Sequence, residues 1–218
     1  MRLVLLGGPG SGKGTQADVL KKKYNIAKLS TGDLLRGEIT NNTELGKQAK
    51  SYMDKGELVP DSVMISILDK KTIEFEAKKQ GYILDGFPRT VPQAEALLEM
   101  LKKQDVTLTM ALLIDVPEHE LVRRLSSRWT CKNCSATVGY PDGKPDDAIC
   151  SQCGGEIYQR DDDKKETIEN RMDVYMKNTA PLIGFFRNKG LLESVDGFGS
   201  LEQITQRIIM LFTEKDIV

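Results

Sequence analysis

The sequence predicts an α/β fold, a five-stranded parallel sheet with helices on both faces. Short apolar runs that suit buried strands alternate along the 218 residues with longer stretches of helical spacing. This alternation favours parallel strands, because parallel neighbours have to be joined by crossover helices. Four cysteines in two closely spaced pairs interrupt the alternation, so we also expect a small inserted unit beside the sheet.

The composition narrows the classes of partner. The chain carries 31 basic and 32 acidic residues, a formal net charge of −1, which argues against nucleic acid or an anionic membrane as the main partner. No apolar run approaches the length of a membrane span, and the first one leads into glycines instead of a signal-peptide core. We therefore expect a cytoplasmic protein, whose cysteines are thiols or metal ligands more often than disulfides. We also expect a monomer.

The first strand, residues 3–6, leads into a glycine-rich segment at residues 7–15 and then into a helical pattern. Glycines are needed because backbone N–H groups must converge on phosphate oxygens with no side chain in the way. The helix N-terminus adds partial positive charge and Lys13 a full one. The alternative is a glycine turn that binds nothing. The flanking strand and helix favour a mononucleotide phosphate site.

A small helical excursion is predicted after the second strand, residues 26–30. Ser30 and Asp33 have the spacing of a helix N-terminus, a hydroxyl followed three residues on by a carboxylate. A further helix over residues 45–55 ends at Gly56. Arg36 lies off the apolar side of the first helix, and taken alone it is better explained as a solvated charge.

The third strand, residues 82–85, ends in Asp85. Ligands collect at the carboxyl ends of strands in an open α/β sheet, so Asp85 is placed for Mg²⁺ or its waters, the alternative being a turn or helix cap. The following turn presents Arg89 at the same edge, before a helix over residues 91–103. A fourth strand over residues 111–115 also ends in a carboxylate, but no glycine and arginine follow it.

The next helix, from Glu118, carries Arg124 and Arg128. A spacing of four puts both on one helical face, where like charges repel unless an anion lies between them. A solvated basic face is the alternative. The only histidine, His119, is expected to be exposed and is assigned no role.

The cysteine spacing, Cys131-x-x-Cys134 and then Cys150-x-x-Cys153 after fifteen residues, is typical of a zinc site. Four thiolates leave no open coordination position, so the metal is expected to be structural. Iron, disulfides and free thiols are the alternatives for these cysteines. After the insert we expect a helix over residues 165–187, kinked or divided at Pro181, then a strand at 191–195 and a helix at 201–215.

Several separated motifs together resemble the adenylate kinase family, in its long form with a zinc-holding lid. The matching segments follow the family's order over nearly the whole chain: residues 7–15, 30–33, 57–60, 85–90 and 160–163. The resemblance implies the fold of a P-loop nucleotide kinase, with a core at residues 1–29, 60–126 and 164–218. It also implies a small helical AMP-binding lobe at 30–59 and a small β-rich zinc-binding lid at 127–163.

The resemblance further implies the reaction ATP + AMP = 2 ADP, with Mg²⁺ as cofactor and a structural Zn²⁺. The ATP phosphates would be held by Gly10, Ser11, Gly12, Lys13, Gly14 and Thr15, with Lys13 on the transferred group. AMP would be bound by Thr31, Arg36, Glu57, Val59, Gly86, Arg89 and Gln93, of which Gln93 reads the adenine. The matching arginines around the phosphates are Arg124, Arg128, Arg160 and Arg171. Asp85 would orient Mg²⁺ through water, and Gly199 lies where the family's chain passes the ATP adenine.

Three departures from the expected patterns stand out. Gly14 occupies the place where the general P-loop pattern has a hydroxyl, which here arrives at Thr15. Trp129 replaces a second arginine in the lid, and Val138 replaces an aromatic residue there. The rival functions are another nucleoside monophosphate kinase, with GTP as donor or UMP or CMP as acceptor, and a zinc-ribbon interaction module. A GTPase would need an Asn-Lys-x-Asp motif, and Asn188-Lys189 continues differently.

Overall fold

The computed structural model describes residues 1–217, with the side chains at 62, 63, 66, 67 and 70 outside the description. In chain order the strands are β1 (Arg2–Leu6), β2 (Ala27–Ser30), β3 (Tyr82–Asp85), β4 (Met110–Asp115), β5 (Arg128–Cys131), β6 (Thr137–Gly139), β7 (Ile157–Tyr158) and β8 (Leu192–Asp196). The α-helices are α1 (Lys13–Tyr24), α2 (Thr31–Thr40), α3 (Glu44–Met53), α4 (Asp61–Ala77), α5 (Val91–Lys103), α6 (Glu118–Ser126), α7 (Lys165–Val174), α8 (Pro181–Asn188) and α9 (Leu201–Glu214).

The central sheet has five parallel strands, as predicted, and the structure places them in the order β2-β3-β1-β4-β8. The first strand of the chain lies in the middle, with β3 on one side and β4 on the other. The strand order therefore reverses at β1, and in open parallel sheets the crevice at such a point is where ligands bind. In the register of β1 with β3, Leu5 lies beside Asp85.

Both faces of the sheet are covered, which explains the continuous apolar runs in its strands. Leu3 and Leu5 of β1 pack into one apolar core, and Val4 and Leu6 into the other. Successive side chains of a strand point to opposite faces, so a strand buried on both sides has no polar alternation. Phe186 of α8 belongs to the second of these cores and is fully buried.

Helices α2 and α3 form the helical excursion after β2. Ser30 caps α2 by accepting a 3.3 Å hydrogen bond from the Asp33 N–H, as its spacing predicted. Thr43 caps α3 in the same way through the Gly46 N–H, at 3.0 Å. The chain then enters α4, of which the sequence had indicated only the start.

The cysteine segment folds around a second, antiparallel sheet in the order β6-β5-β7. Its apolar cluster is small and contains two of the cysteines, Cys131 and Cys150, together with Ile157. Trp129 and Tyr140 pack against that cluster. A tryptophan in this position supplies apolar surface to a unit that has few other large side chains.

One sequence prediction needs correction, and another is confirmed. Arg128 does not share a helical face with Arg124, because α6 ends at Ser126 and Arg128 begins β5. The hydroxyls of Ser126 and Ser127 bond carbonyls of the last helical turn, and the Ser127 carbonyl accepts from Tyr140 N–H instead of continuing the helix. The helix expected over 165–187 is divided before Pro181, as predicted, with a π-helical turn at Tyr175–Thr179 before α8 starts at Pro181.

None of the helices within residues 1–217 combines the length and the apolar character needed to cross a lipid bilayer.

Candidate functional site

A cleft of about 980 Å³ opens at the carboxyl ends of the central strands. It is lined by the glycine loop, by α2, by the turn after β3 and by one side of the β5–β6 hairpin. The sequence-predicted residues that line it are Gly10, Gly12, Lys13, Gly14, Thr15, Thr31, Arg36, Glu57, Val59, Asp85, Gly86, Arg89, Gln93, Arg124, Arg128, Arg160 and Arg171. Ser11 is fully buried beneath the loop, and Gly199 lies outside the cleft wall.

The glycine loop presents free backbone donors to this cleft. Gly10 and Gly12 have φ angles of 87° and 91°, a backbone region that residues with a side chain rarely adopt. At Gly10 a Cβ atom would also lie 2.8 Å from the Leu121 carbonyl oxygen. Helix α1 begins directly after Gly12 without a side-chain cap or an acidic residue in its first turn. Its first N–H groups therefore have the partial positive charge that binds an anion.

Lys13 folds back onto the loop. Its Nζ donates to the carbonyl oxygens of Gly7 at 2.7 Å and Gly8 at 2.9 Å, and lies 3.2 Å from Ser11 Oγ. Burial lowers the pKa of Lys13 to about 8, although the charge of Asp85 opposes this shift. An ammonium held only by neutral oxygens is stabilised by a bound phosphate, which would supply the missing counter-charge.

The arginines crowd one another around the same cleft. Burial, and then the charges of Arg36 and Arg128, lower the pKa of Arg160 to about 10. The Nε of Arg160 is buried and has no hydrogen-bond partner among the described residues. Burial and the nearby Arg171 also lower the pKa of Arg89. Cations that raise one another's energy in this way are stabilised when an anion binds between them.

Asp163 is one of the carboxylates that balance part of this charge, and Asp162 also lies 3.0 Å from Arg171. Asp163 is fully buried and accepts from Arg128 Nε at 2.7 Å and Nη2 at 2.5 Å, and from Arg171 Nη1 at 2.7 Å. Burial alone would lower the pKa of Arg128. The charge and hydrogen bonding of Asp163 act in the opposite direction, and the pKa of this arginine is raised. One carboxylate thus links β5 to helix α7.

The half of the cleft beside α2 is held by side-chain to backbone bonds. Thr31 Oγ1 donates to the Gly86 carbonyl oxygen at 3.0 Å, and a Cβ at Gly86 would lie 2.7 Å from that hydroxyl. The Gln93 amide is bonded at both ends: its oxygen accepts from the Arg89 N–H at 2.7 Å, and its nitrogen donates to Asp61 at 2.5 Å. Gln93 is therefore fixed in orientation before any ligand binds.

Asp85 suits the Mg²⁺ role through its surroundings. Its Oδ2 lies 3.3 Å from where a Cβ of Gly14 would be, so the glycine after Lys13 leaves room for this carboxylate. That accounts for the departure from the usual loop pattern at this position. A carboxylate and the Thr15 hydroxyl in one cleft are hard oxygen donors, which fit Mg²⁺.

The four cysteines converge as the spacing predicted. Their sulfur atoms all lie within 4.8 Å of one another. Cys131 and Cys153 are 3.5 Å apart at sulfur, as are Cys134 and Cys150, which excludes a disulfide bond in either pair of this structure. The Cys134 backbone N–H lowers the pKa of the Cys131 thiol to about 6. Four sulfurs at these separations fit tetrahedral Zn²⁺.

Comparison with known proteins identifies the family to which this chain is related. A model of the adenylate kinase family matches residues 5–191. The chain belongs to the adenylate kinase family. It is 50% identical over 217 residues to the adenylate kinase of Thermodesulfovibrio yellowstonii, covering 99% of this chain and all of that one. It is also 50% identical over 209 residues to the adenylate kinase of Archaeoglobus fulgidus, covering 95% and 96% of the two chains.

A third relative, the adenylate kinase of Streptomyces avermitilis, is 48% identical over 218 residues, 99% of each chain. Membership of the adenylate kinase family makes this protein a nucleotide-binding phosphotransferase, as its motifs predicted. The predicted fold class is confirmed as well. The roles of the individual site residues and the boundaries of the lobes stay predictions.

Sequence reasoning missed three residues that the structure brings to the site. Asp163 was noticed only as part of a motif, and nothing in the sequence shows which arginines it would bind. Thr179, in the π-helical turn, donates to the Arg89 carbonyl oxygen at 2.8 Å. Lys28 lines the cleft from β2. A lysine inside a short buried strand was the one available signal for it.

Proposed function

We propose that the protein catalyses the reversible transfer ATP + AMP = 2 ADP with Mg²⁺. The observation that supports this most directly is the convergence of Lys13, Asp85 and six of the predicted arginines on one cleft at the strand-order reversal: Arg36, Arg89, Arg124, Arg128, Arg160 and Arg171. The reactants are both anions, so the protein's main task is to gather and align them against their repulsion. A cleft this rich in cations suits that task.

The donor half of the site is the glycine loop. Backbone N–H groups of Gly10, Gly12 and Gly14, with the start of α1, would hold the ATP phosphates, and Lys13 would move from its loop carbonyls onto the transferred group. Thr15 and Asp85 would hold Mg²⁺, directly or through water. When bound, the metal neutralises phosphate charge. The family's position for the ATP adenine corresponds to the Gly197–Gly199 loop, whose Gly197 carbonyl oxygen accepts from Arg124 at 3.0 Å.

The acceptor half lies between α2 and the turn after β3. Arg36 and Arg89 would bind the AMP phosphate, because the guanidinium fork pairs with two phosphate oxygens and fixes their direction. Thr31, Glu57, Val59 and Gly86 would line the nucleoside, with Gln93 reading the adenine. Gln93 would have to exchange one of its two present partners for the base.

Transfer requires no strong general base. An oxygen of the AMP phosphate forms the new bond to the γ-phosphorus of ATP, and the bond from that phosphorus to the β-phosphate oxygen breaks. Arg128, Arg160 and Arg171 would stabilise the charge on the group in transit. Because water competes as an acceptor, the cleft has to close over its substrates.

We further propose the lobe organisation that the family resemblance implies. Residues 30–59 would be the AMP-binding lobe and residues 127–163 the lid, which would close over a core of residues 1–29, 60–126 and 164–218. Structural Zn²⁺ on the four cysteines would keep the lid rigid, since its own apolar cluster is small. One chain contributes both halves of the cleft, which favours a monomer. Reduced, metal-ready cysteines favour the cytoplasm as the site of action.

The deciding experiment is turnover with defined nucleotides. We expect ADP to form from ATP and AMP only when Mg²⁺ is present, and much more slowly when GTP replaces ATP or when UMP or CMP replaces AMP. Faster turnover with one of those nucleotides would assign the protein to another nucleoside monophosphate kinase specificity. An absence of phosphate transfer from ATP to any nucleoside monophosphate would refute the proposal.

A further inference from the structure

Lys28 is a largely buried lysine on β2 that has no role in the mechanism above. Its side chain is only 11% exposed and lines the cleft beside the glycine loop. The ammonium Nζ donates to the Gly14 carbonyl oxygen at 3.1 Å and to Asp18 Oδ1 at 2.9 Å. Ordering and desolvating a lysine costs free energy, so its contacts have to offset that cost.

A further contact of Lys28 reaches helix α2. Its Nζ lies 3.9 Å from Asp33 Oδ2, while Asp33 Oδ1 accepts a 2.7 Å hydrogen bond from Arg36. One carboxylate is therefore shared by two cations, one at each oxygen. Although burial favours its neutral form, hydrogen bonding to Arg36 together with the charge of Lys28 lowers the pKa of Asp33. Asp33 is thus ionised at neutral pH.

This sharing affects how available Arg36 is to a ligand. Asp33 is the one carboxylate that the described residues pair with Arg36 within 4.0 Å. An incoming phosphate has to compete with Asp33 for the guanidinium group. A second cation beside Asp33 weakens its hold on Arg36, because part of the carboxylate charge is already balanced.

Lys28 also ties this pair to the core. Its position is set by the Gly14 carbonyl oxygen at the start of α1, and its Nζ lies 3.9 Å from where a Cβ of Gly14 would be. The contacts of Lys28 thus join the glycine loop, where the donor would bind, to α2, where the acceptor would bind.

We propose that Lys28 is a positioning residue for the acceptor nucleotide, which holds Asp33 toward the core so that Arg36 stays available to the AMP phosphate. The inference rests on the proposed function. Lys28 acts through Asp33 and not by contact with the reacting atoms. Its loss is therefore expected to change the binding of AMP far more than that of ATP.

Steady-state kinetics of Lys28→Met test this directly. We expect KM for AMP to rise roughly tenfold, the size of one lost interaction with a charged group, while KM for ATP changes at most about twofold. Lys28→Arg keeps the charge and is expected to recover most of the AMP affinity. Equal increases in both KM values, or no change in either, would overturn the proposal, as would a failure of Lys28→Arg to recover affinity.

Two further variants control the experiment. Lys71→Met is the matched control, because Lys71 also pairs with a carboxylate, Glu74 at 3.0 Å, but lies on α4 outside the cleft. Its KM values are expected to equal those of the unmodified protein. Asp18→Asn leaves Lys28 with Asp33 as its remaining carboxylate, so KM for AMP is expected to stay the same or fall. A tenfold rise in Asp18→Asn would contradict the proposal.

Calorimetric titration with AMP alone separates this inference from the proposed function. If the unmodified protein binds AMP and Lys28→Met binds it about tenfold more weakly, the inference holds even without turnover. If the unmodified protein turns over ATP and AMP but both proteins bind AMP equally, the inference fails and the function stands. Should thermal melting show that Lys28→Met is unfolded, Lys28→Gln removes the same charge and supplies the same comparison.

Discussion

At the scale of single residues, Lys13 shows how the fold prepares a site for an anion. The loop buries its ammonium group among carbonyl oxygens and gives it no carboxylate within 4.0 Å among the described residues. The same burial that lowers its pKa strengthens its interaction with a phosphate, because less water screens the pair. A lysine in this setting destabilises the protein without ligand, and it is expected to bind a phosphate strongly.

Replacing Lys13 by Met tests its proposed contact with the transferred group. We expect kcat for ADP formation to fall about 10²- to 10³-fold, because one preorganised donor to the developing charge is lost. The measurement is initial rate at saturating ATP and AMP. Lys102→Met, at an exposed position in the last turn of α5, is the control and should keep its rate. A Lys13→Met rate within threefold of normal would remove Lys13 from the chemistry.

The lowered pKa of Lys13 also predicts a pH trend in stability. The unfolded lysine titrates near its ordinary value of 10.5, whereas the folded one titrates at about 8. Between these values the unfolded state binds more protons, so stability rises with pH as the cost of the buried charge is relieved. Without nucleotide, we expect the melting temperature of the unmodified protein to rise relative to Lys13→Met between pH 8 and 10. A difference that is constant across this range would contradict the shift.

At the scale of elements, we expect the proposed lid to depend on its proposed metal more than on its small apolar cluster. We expect chelation of Zn²⁺ to disorder the β5–β6–β7 sheet before the central sheet melts. Trp129 is the only tryptophan of the chain and packs on this cluster, so its fluorescence reports the lid alone. The expected result is a red-shifted emission on chelation, with far-UV circular dichroism of the core largely retained.

Cys134→Ser is the genetic counterpart of chelation. It should give the same emission in untreated protein and a lower metal content by elemental analysis. An emission spectrum that chelation leaves unchanged, or a purified protein without zinc, would disprove the structural role of the metal.

Comparing sequence and structure element by element shows which signals were sufficient. The turn after β3 and helix α5 were predicted at their observed bounds, because Thr90 accepts from the Gln93 N–H and Pro92 starts the helix within a few residues. The end of α6 was missed, because it depends on pairing of Ser127 with Tyr140, thirteen residues away. Local patterns do not contain such partners.

The same distinction between local patterns and distant partners applies to the residues of the site. Glycines and arginines at family spacing led to the residues that line the cleft. The electrostatic partners of these residues did not follow from spacing. Asp163 meets Arg128 across 35 positions of sequence, and Lys28 meets Gly14 across 14. Only the fold brings these residues together. The sequence alone therefore did not show which carboxylates pair with the cations of the cleft.

At the scale of the whole molecule, the two halves of the cleft are expected to act as one receptor. A mimic made of two adenosines joined by a polyphosphate should bind and stabilise the protein. At a hundredfold excess over its dissociation constant the gain is about 2.7 kcal/mol, which corresponds to an increase in melting temperature of roughly 5–10 °C. Thermal melting with and without the mimic measures this.

Arg89→Ala provides the comparison for that experiment. Removing this acceptor-side arginine should reduce the thermal shift given by the mimic while leaving the smaller shift given by ATP alone. A mimic that shifts the melting temperature no more than ATP would show that the two nucleotides do not occupy the cleft together.

The buried Asp163 has a consequence for how the cleft empties. In the protein without ligand, this carboxylate already pairs with Arg128 and Arg171, so it takes the place that a ligand anion would occupy. A monovalent anion would interact with these arginines no more strongly than Asp163 does, whereas a multiply charged phosphate would interact more strongly. If these arginines bind phosphate as proposed, we expect Asp163 to pair with them again when product leaves, so that release exchanges one partner for another without exposing unpaired cations.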